Sequence, residues 1–68
     1  MASYYVNDNV QSNGGHEVHV ETCTRLPALA NRYYLGEYST CVPAVTKARQ
    51  RWTEVNGCYY CCNPCHTQ

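Results

Sequence analysis

Residues 57–66 read Gly57-Cys58-Tyr59-Tyr60-Cys61-Cys62-Asn63-Pro64-Cys65-His66 and hold four of the six cysteines in the chain. The stretch contains two consecutive Cys-x2-Cys pairs, Cys58 with Cys61 and Cys62 with Cys65. Two intervening residues let a tight turn direct both thiolates, together with backbone N–H groups, at a single ion, and zinc sites use this spacing. We therefore predict that the stretch folds as a Cys-rich knuckle around a metal ion.

A second pair of metal-ligand residues lies earlier in the chain. His19 and Cys23 are separated by three residues, so they form a His-x3-Cys pair. This pair and one Cys-x2-Cys pair supply four ligands from two separated segments, which is the composition of a closed structural Zn²⁺ site. The predicted ligands are His19, Cys23, Cys58 and Cys61. For His19 the alternative is a solvated position on the strand face opposite its two valine neighbours.

The cysteines outnumber the ligands of one tetrahedral ion, so several assignments stay open. Cys62, Cys65 or His66 can replace one of the four predicted ligands. Cys41 is interpreted as a small buried apolar residue, with a reactive thiol at a helix start as the alternative. Disulfides are a further alternative, either throughout the chain or as one bond from Cys41 to Cys62 or Cys65, which requires Cα atoms within about 7 Å.

Length and composition explain why the fold needs a metal ion or a disulfide for its stability. The chain has 68 residues, no Phe and one Trp, and seven Tyr supply most of its aromatic surface. A chain of this length forms a single domain, here 1–68. Its core rarely stabilises the fold by more than about 3–5 kcal/mol. We therefore expect a zinc-stapled domain that is largely unfolded without the metal.

Charge and hydropathy give no indication of a nucleic-acid or membrane partner. Five Lys and Arg balance five Asp and Glu, so no basic excess favours nucleic acid or an anionic membrane. The sequence has no signal-peptide pattern at Met1–Asp8 and no apolar run of about 20 residues. We predict a cytoplasmic protein with no membrane partner. In a reducing compartment, this cysteine spacing favours metal binding over disulfides.

Local patterns predict a small α+β fold. Aromatic, β-branched or alternating residues predict strands at Ser3–Val6, Glu17–Val20 and Tyr33–Tyr38. The first two form an N-terminal β-hairpin, because Asn13-Gly14-Gly15 between them suits a turn. Gly36 within the third strand indicates a bulge or a close backbone contact.

One α-helix is predicted between the third strand and the knuckle. Ser39-Thr40 supplies an N-cap hydroxyl, and Ala44–Trp52 is good helix sequence. Asn56-Gly57 is typical of a helix stop that uses a left-handed residue. The apolar stripe predicted to face the sheet consists of Val45, Ala48, Trp52 and Val55.

This order of ligands and elements resembles the zinc-binding N-terminal domain of the Ada DNA-repair protein and the shorter Ada-like modules of some nucleases. The resemblance covers residues 16–62. His19 and Cys23 match the leading pair, Asn31-Arg32-Tyr33-Tyr34 resembles the turn and strand, and Cys58 with Cys61 resembles the closing pair. The ending GCYYCCNPCHT is also similar to that of small uncharacterised bacterial proteins. The resemblance implies a zinc module with a nucleic acid as one partner class.

Two departures limit what the resemblance implies. His19 stands where the repair domain has its methyl-accepting cysteine, and an imidazole cannot serve as that thiolate, so methyl transfer is not expected. Tyr and Asn surround the closing pair where the family has Lys and Arg that approach DNA.

The sequence therefore predicts a structural zinc-binding module that mediates protein interaction, because Tyr is enriched at interfaces. Enzymatic activity is not expected, since the chain has spare ligands where catalytic zinc keeps an open position. The alternatives are an Ada-like nucleic-acid module without methyl transfer and a thiol or metal-handling protein.

Overall fold

The computed structural model describes residues 1–10 and 15–67, which form the predicted α+β fold. This part of the chain contains four strands, one α-helix and two short 3₁₀ helices. The strands are β1 (Ala2–Asn7), β2 (His16–Val20), β3 (Arg32–Tyr38) and β4 (Val55–Gly57), the helix is α1 (Cys41–Ala48), and the 3₁₀ helices are Leu29–Asn31 and Asn63–Cys65.

The predicted hairpin and third strand are confirmed. The sheet order is β3-β1-β2-β4, with β1 antiparallel to both β2 and β3. In this register Tyr5 of β1 lies opposite His19 of β2. The predicted turn residues Asn13 and Gly14 lie outside the described residues.

Gly36 occupies a special backbone conformation in β3. Its φ is 121°, which side-chain-bearing residues rarely adopt. The β1–β3 register shifts between Tyr4 and Tyr5, where Gly36 pairs with Tyr4. A Cβ at Gly36 would lie 3.1 Å from the hydroxyl of Tyr38, which donates a 2.8 Å hydrogen bond to the Leu35 carbonyl. The predicted irregularity at this glycine is confirmed.

Helix α1 begins as predicted but ends early. The Thr40 hydroxyl caps it by accepting a 3.3 Å hydrogen bond from the Val42 N–H. The last helical residue is Ala48 and not Trp52. The Arg51 N–H bonds to the Ala48 carbonyl at 3.0 Å, so an i→i+3 bond tightens the turn after Ala48. The residues after Ala48 favour a helix by their intrinsic propensity, but the tertiary structure ends the helix there.

The predicted helix stop at Asn56-Gly57 is wrong, because these residues belong to strand β4. β4 pairs in parallel with β2, with Gly57 opposite Val18. Gly57 does not have a positive φ; glycine is required here because of a close approach. A Cβ on Gly57 would lie 2.5 Å from the Cys62 carbonyl oxygen and 2.7 Å from the Cys65 Cβ.

The core lies between the sheet and α1, and it leaves the other sheet face to the site residues. Along β2, Val18 is fully buried in this core. Because successive strand residues point to opposite faces, Glu17 and His19 lie on the face away from the helix. The buried core residues include Tyr4, Val6, Val18, Leu35, Ala44, Val45, Ala48 and Val55, and Trp52 packs against them.

A disulfide between Cys41 and Cys65 joins the start of α1 to the second 3₁₀ helix, with Cα atoms 6.4 Å apart. Cys41 is buried, as predicted, and it is also a disulfide partner, which the sequence left open. The all-disulfide alternative is wrong, since Cys23, Cys58, Cys61 and Cys62 are free thiols. Within the described part of the chain, no helix is long and apolar enough to cross a bilayer.

Candidate metal centre

The pairing of β2 with β4 brings the two ligand segments together. Parallel neighbouring strands end at the same edge of a sheet. His19 lies near the end of β2 and Cys23 in the turn after it, while Cys58 directly follows β4. Cys61 reaches the same edge through a turn closed by a 2.8 Å hydrogen bond from the Cys62 N–H to the Cys58 carbonyl.

The four predicted ligands form one cluster. Their ligand atoms all lie within 4.8 Å of one another. Cys23 Sγ is 3.6 Å from His19 Nδ1 and 4.0 Å from Cys58 Sγ, and Cys61 Sγ is 3.9 Å from His19 Nδ1. Tetrahedral zinc with ordinary bond lengths separates two sulfurs by about 3.8 Å and a sulfur from a nitrogen by about 3.6 Å. The cluster therefore has the dimensions of a site for one ion.

Backbone N–H groups point at two of the sulfurs. The Val20 N–H donates to Cys61 Sγ and the Arg25 N–H donates to Cys23 Sγ, each at 3.4 Å. Hydrogen bonds to the charged form of a group favour that form. The Val20 donor therefore partly offsets the effect of burial on the Cys61 thiol, in the direction of the thiolate that a metal ion requires.

Burial shifts the pKa of two members of the cluster, His19 and Cys61. His19 is 1% exposed, and this burial lowers its pKa below the ordinary value, so the imidazole is held in the neutral, ligating form. Burial, together with a hydrogen bond to Cys23, raises the pKa of the Cys61 thiol well above its ordinary value. A cation that binds through Cys61 must therefore displace its thiol proton.

The three residues predicted as alternative ligands, Cys62, Cys65 and His66, each have a different set of contacts. Cys65 is in the disulfide, and His66 Nδ1 lies 3.0 Å from the Gly57 carbonyl oxygen. Cys62 is the one closest to the cluster, with its sulfur 3.9 Å from that of Cys61. It is also 1% exposed and packs in the hydrophobic core. Cys62 is therefore a buried thiol adjoining the four-residue cluster.

A cavity of about 270 Å³ opens beside the cluster and is lined in part by His19 and Cys58. Its other lining residues include Glu17, which sequence reasoning did not select. The sequence did contain an indication of Glu17: it lies two residues before His19, and this spacing places both side chains on one face of a strand. Arg25 also lines the cavity, and its guanidinium lies 4.1 Å from the centre of the Tyr60 ring.

A second aromatic group lies on the same sheet face as His19. The rings of Tyr5 and Tyr34 are 5.3 Å apart, and the Arg32 guanidinium lies 4.8 Å from the centre of the Tyr5 ring. Tyr34 is 53% exposed and Tyr60 is 63% exposed. Aromatic surface with stacked arginines is therefore available to a partner near the cluster.

Comparisons of the chain with protein-family models, curated proteins and solved structures find no match.

Proposed function

We propose that this chain is a structural zinc-binding module, with His19, Cys23, Cys58 and Cys61 as the ligands of one Zn²⁺ ion. The observation that carries the proposal is the clustering of the four ligand atoms within 4.8 Å. One imidazole and three thiols form a soft donor set, which suits zinc better than magnesium or calcium.

The donor set supports a structural role more than a catalytic one. Four protein ligands complete a tetrahedron, whereas catalytic zinc uses three and keeps a position for water or substrate. Two of the sulfurs also accept backbone hydrogen bonds, which reduces their reactivity as nucleophiles.

Zinc in this position would connect segments that are distant in sequence. It would join the end of β2 to the knuckle that follows β4. These two strands lie on the side of the sheet away from β3. Binding free energies of structural zinc reach about 10–16 kcal/mol in small peptides at neutral pH, which exceeds what a core of this size supplies. Metal binding would therefore be a large part of the folding free energy.

Native mass spectrometry with and without a chelator tests the proposal, because it reports the metal count and the disulfide count together. We expect one zinc ion and one disulfide per chain. Cys58→Ser should lose the zinc, and the matched control Cys62→Ser should retain it. A wild-type chain that carries no zinc after refolding with the metal would contradict the proposal.

The partner class that we propose is a protein. Tyr59 and Tyr60, on the knuckle, are 56% and 63% exposed, and such rings form contact surface at little entropic cost. The zero net charge of the chain gives no long-range attraction to a polyanion.

A nucleic-acid module, Ada-like but without methyl transfer, is the second candidate, and the stacking of Arg25 on Tyr60 favours it. Stacked aromatic and arginine side chains bind single-stranded bases. Fluorescence anisotropy with a labelled single-stranded oligonucleotide separates the two candidates. Binding that weakens steeply with salt and is lost in Tyr60→Ala, but not in the exposed control Val42→Ala, would favour nucleic acid. Absence of such binding would favour the protein partner.

A further inference from the structure

We propose that Glu17 is the positioning residue of the metal centre, accepting a hydrogen bond from Nε2–H of His19 while Nδ1 binds the metal. This inference rests on the proposed zinc site and assigns a role to a residue outside the four ligands.

The orientation of the His19 ring leads to this assignment. Nδ1 faces the sulfurs of Cys23 and Cys61, at 3.6 and 3.9 Å. An imidazole that binds a metal through Nδ1 carries its proton on Nε2. In the described part of the chain, Nε2 is buried and has no hydrogen-bond partner. A buried donor without an acceptor is unusual, so the ring orientation calls for an acceptor nearby.

Glu17 is placed to supply that acceptor. It precedes His19 by two residues in β2, so both side chains lie on the same face of the sheet. Glu17 Oε1 is 4.0 Å from His19 Nε2, just beyond hydrogen-bond range, and the carboxylate has no closer side-chain partner among residues 1–10 and 15–67. The Glu17 side chain is 19% exposed and borders the cavity of about 270 Å³, which leaves it room to rotate towards the ring.

A hydrogen bond from His19 to Glu17 would strengthen metal binding by His19. A carboxylate that accepts from the distal N–H of a metal-bound imidazole fixes the tautomer and increases the basicity of the ligating nitrogen. Three thiolates and a divalent cation leave one net negative charge, and Glu17 would add another. Arg25 borders the same cavity and supplies a compensating positive charge.

The test compares the zinc affinity of Glu17→Ala with that of Glu37→Ala. Glu37 is an exposed carboxylate on β3, so its removal makes the same change in net charge away from the cluster. Competition with a chromophoric chelator should show an affinity about 10–100-fold lower for Glu17→Ala. Glu17→Gln should retain part of the affinity, since its amide oxygen still accepts a hydrogen bond. Glu37→Ala should match the wild type.

A second readout separates positioning from a general loss of stability. In the zinc-loaded wild type, nuclear magnetic resonance should detect a slowly exchanging Nε2–H proton on His19, and in zinc-loaded Glu17→Ala this proton should exchange rapidly. If Glu17→Ala matched Glu37→Ala in both affinity and exchange, the inference would be overturned and the zinc site would stand. A wild-type chain that bound no zinc would contradict both the zinc site and the role of Glu17.

Discussion

The sulfur of Cys23 lies 4.0 Å from the sulfur of Cys58, although the two residues are 35 positions apart in the sequence. The first belongs to the turn after β2 and the second to the start of the knuckle after β4. These two buried or half-buried cysteines are not bonded to each other, and their sulfurs have the separation expected of two ligands of one tetrahedral metal ion.

Removal of the metal should unfold much of the chain. We expect a chelator at neutral pH to abolish most of the helical signal in far-ultraviolet circular dichroism, because zinc binding supplies folding free energy. Cys58→Ser should give the same low signal even with zinc present, and Cys62→Ser should respond to chelator as the wild type does. A helix signal indifferent to chelator would contradict the metal-dependent fold.

Zinc affinity should increase with pH. Metal binding requires a thiolate, and burial raises the pKa of the Cys61 thiol, so Cys61 must lose a proton when the metal binds near pH 7. The lowered pKa of His19 means that the folded state favours its neutral form, and this contribution to stability is lost as the pH falls below about 6.5 towards the folded-state pKa. The affinity should therefore decline more steeply below about pH 6.5.

Isothermal titration calorimetry in buffers of different ionisation enthalpy measures this proton release directly. We expect proton release at neutral pH, and about one proton fewer for Cys61→Ser where that variant still binds metal. An affinity that did not change with pH would show that thiols are not the ligands.

The Cys41–Cys65 disulfide should stabilise the domain without being needed for zinc binding. The bond closes a loop with a sequence separation of 24, for which chain entropy predicts about 3.5 kcal/mol. The double variant Cys41→Ser with Cys65→Ser should therefore unfold at lower urea at a fixed free zinc concentration, yet still bind one zinc. Loss of zinc from this variant would mean that the disulfide is required to form the metal centre.

Thiol labelling should distinguish a structural site from a thiol-handling one. Cys62 is 1% exposed, and the other free thiols are the proposed ligands. In the zinc-loaded protein we expect slow reaction of all four with an alkylating reagent, and rapid reaction after chelation. Rapid labelling of one or two thiols with zinc bound would favour the thiol or metal-handling alternative.

The sequence could indicate which four side chains come together, because the spacing of candidate metal ligands is a local property. Both residue pairs lie within a single turn or strand end, so their geometry depends little on the rest of the fold. The strands β1, β2 and β3 were predicted for the same reason, since each has its own alternating or aromatic pattern.

Strand β4 could not be predicted, because three residues are too few to show a period. Its pairing with β2 depends on contacts distant in sequence, and Asn56-Gly57 has the local appearance of a helix stop. The early end of α1 was missed with it, since the chain must leave the helix at Ala48 to reach β4. The role proposed for Glu17 could not be predicted from the sequence either, because it depends on which ring nitrogen of His19 faces the sulfurs.

Gly57 provides the sharpest test of this arrangement, because the knuckle folds directly over it. A methyl group at Gly57 would lie 2.5 Å from the Cys62 carbonyl oxygen, a backbone atom that cannot rotate away. Gly57→Ala should therefore displace the knuckle, destabilise the domain by about 2–3 kcal/mol and weaken zinc binding, since Cys58 and Cys61 move with it. If Gly57 were only a flexible linker, the alanine variant would match the wild type in urea unfolding and in zinc competition. A loss in both measurements would show that zinc binding requires close packing of the knuckle against β4.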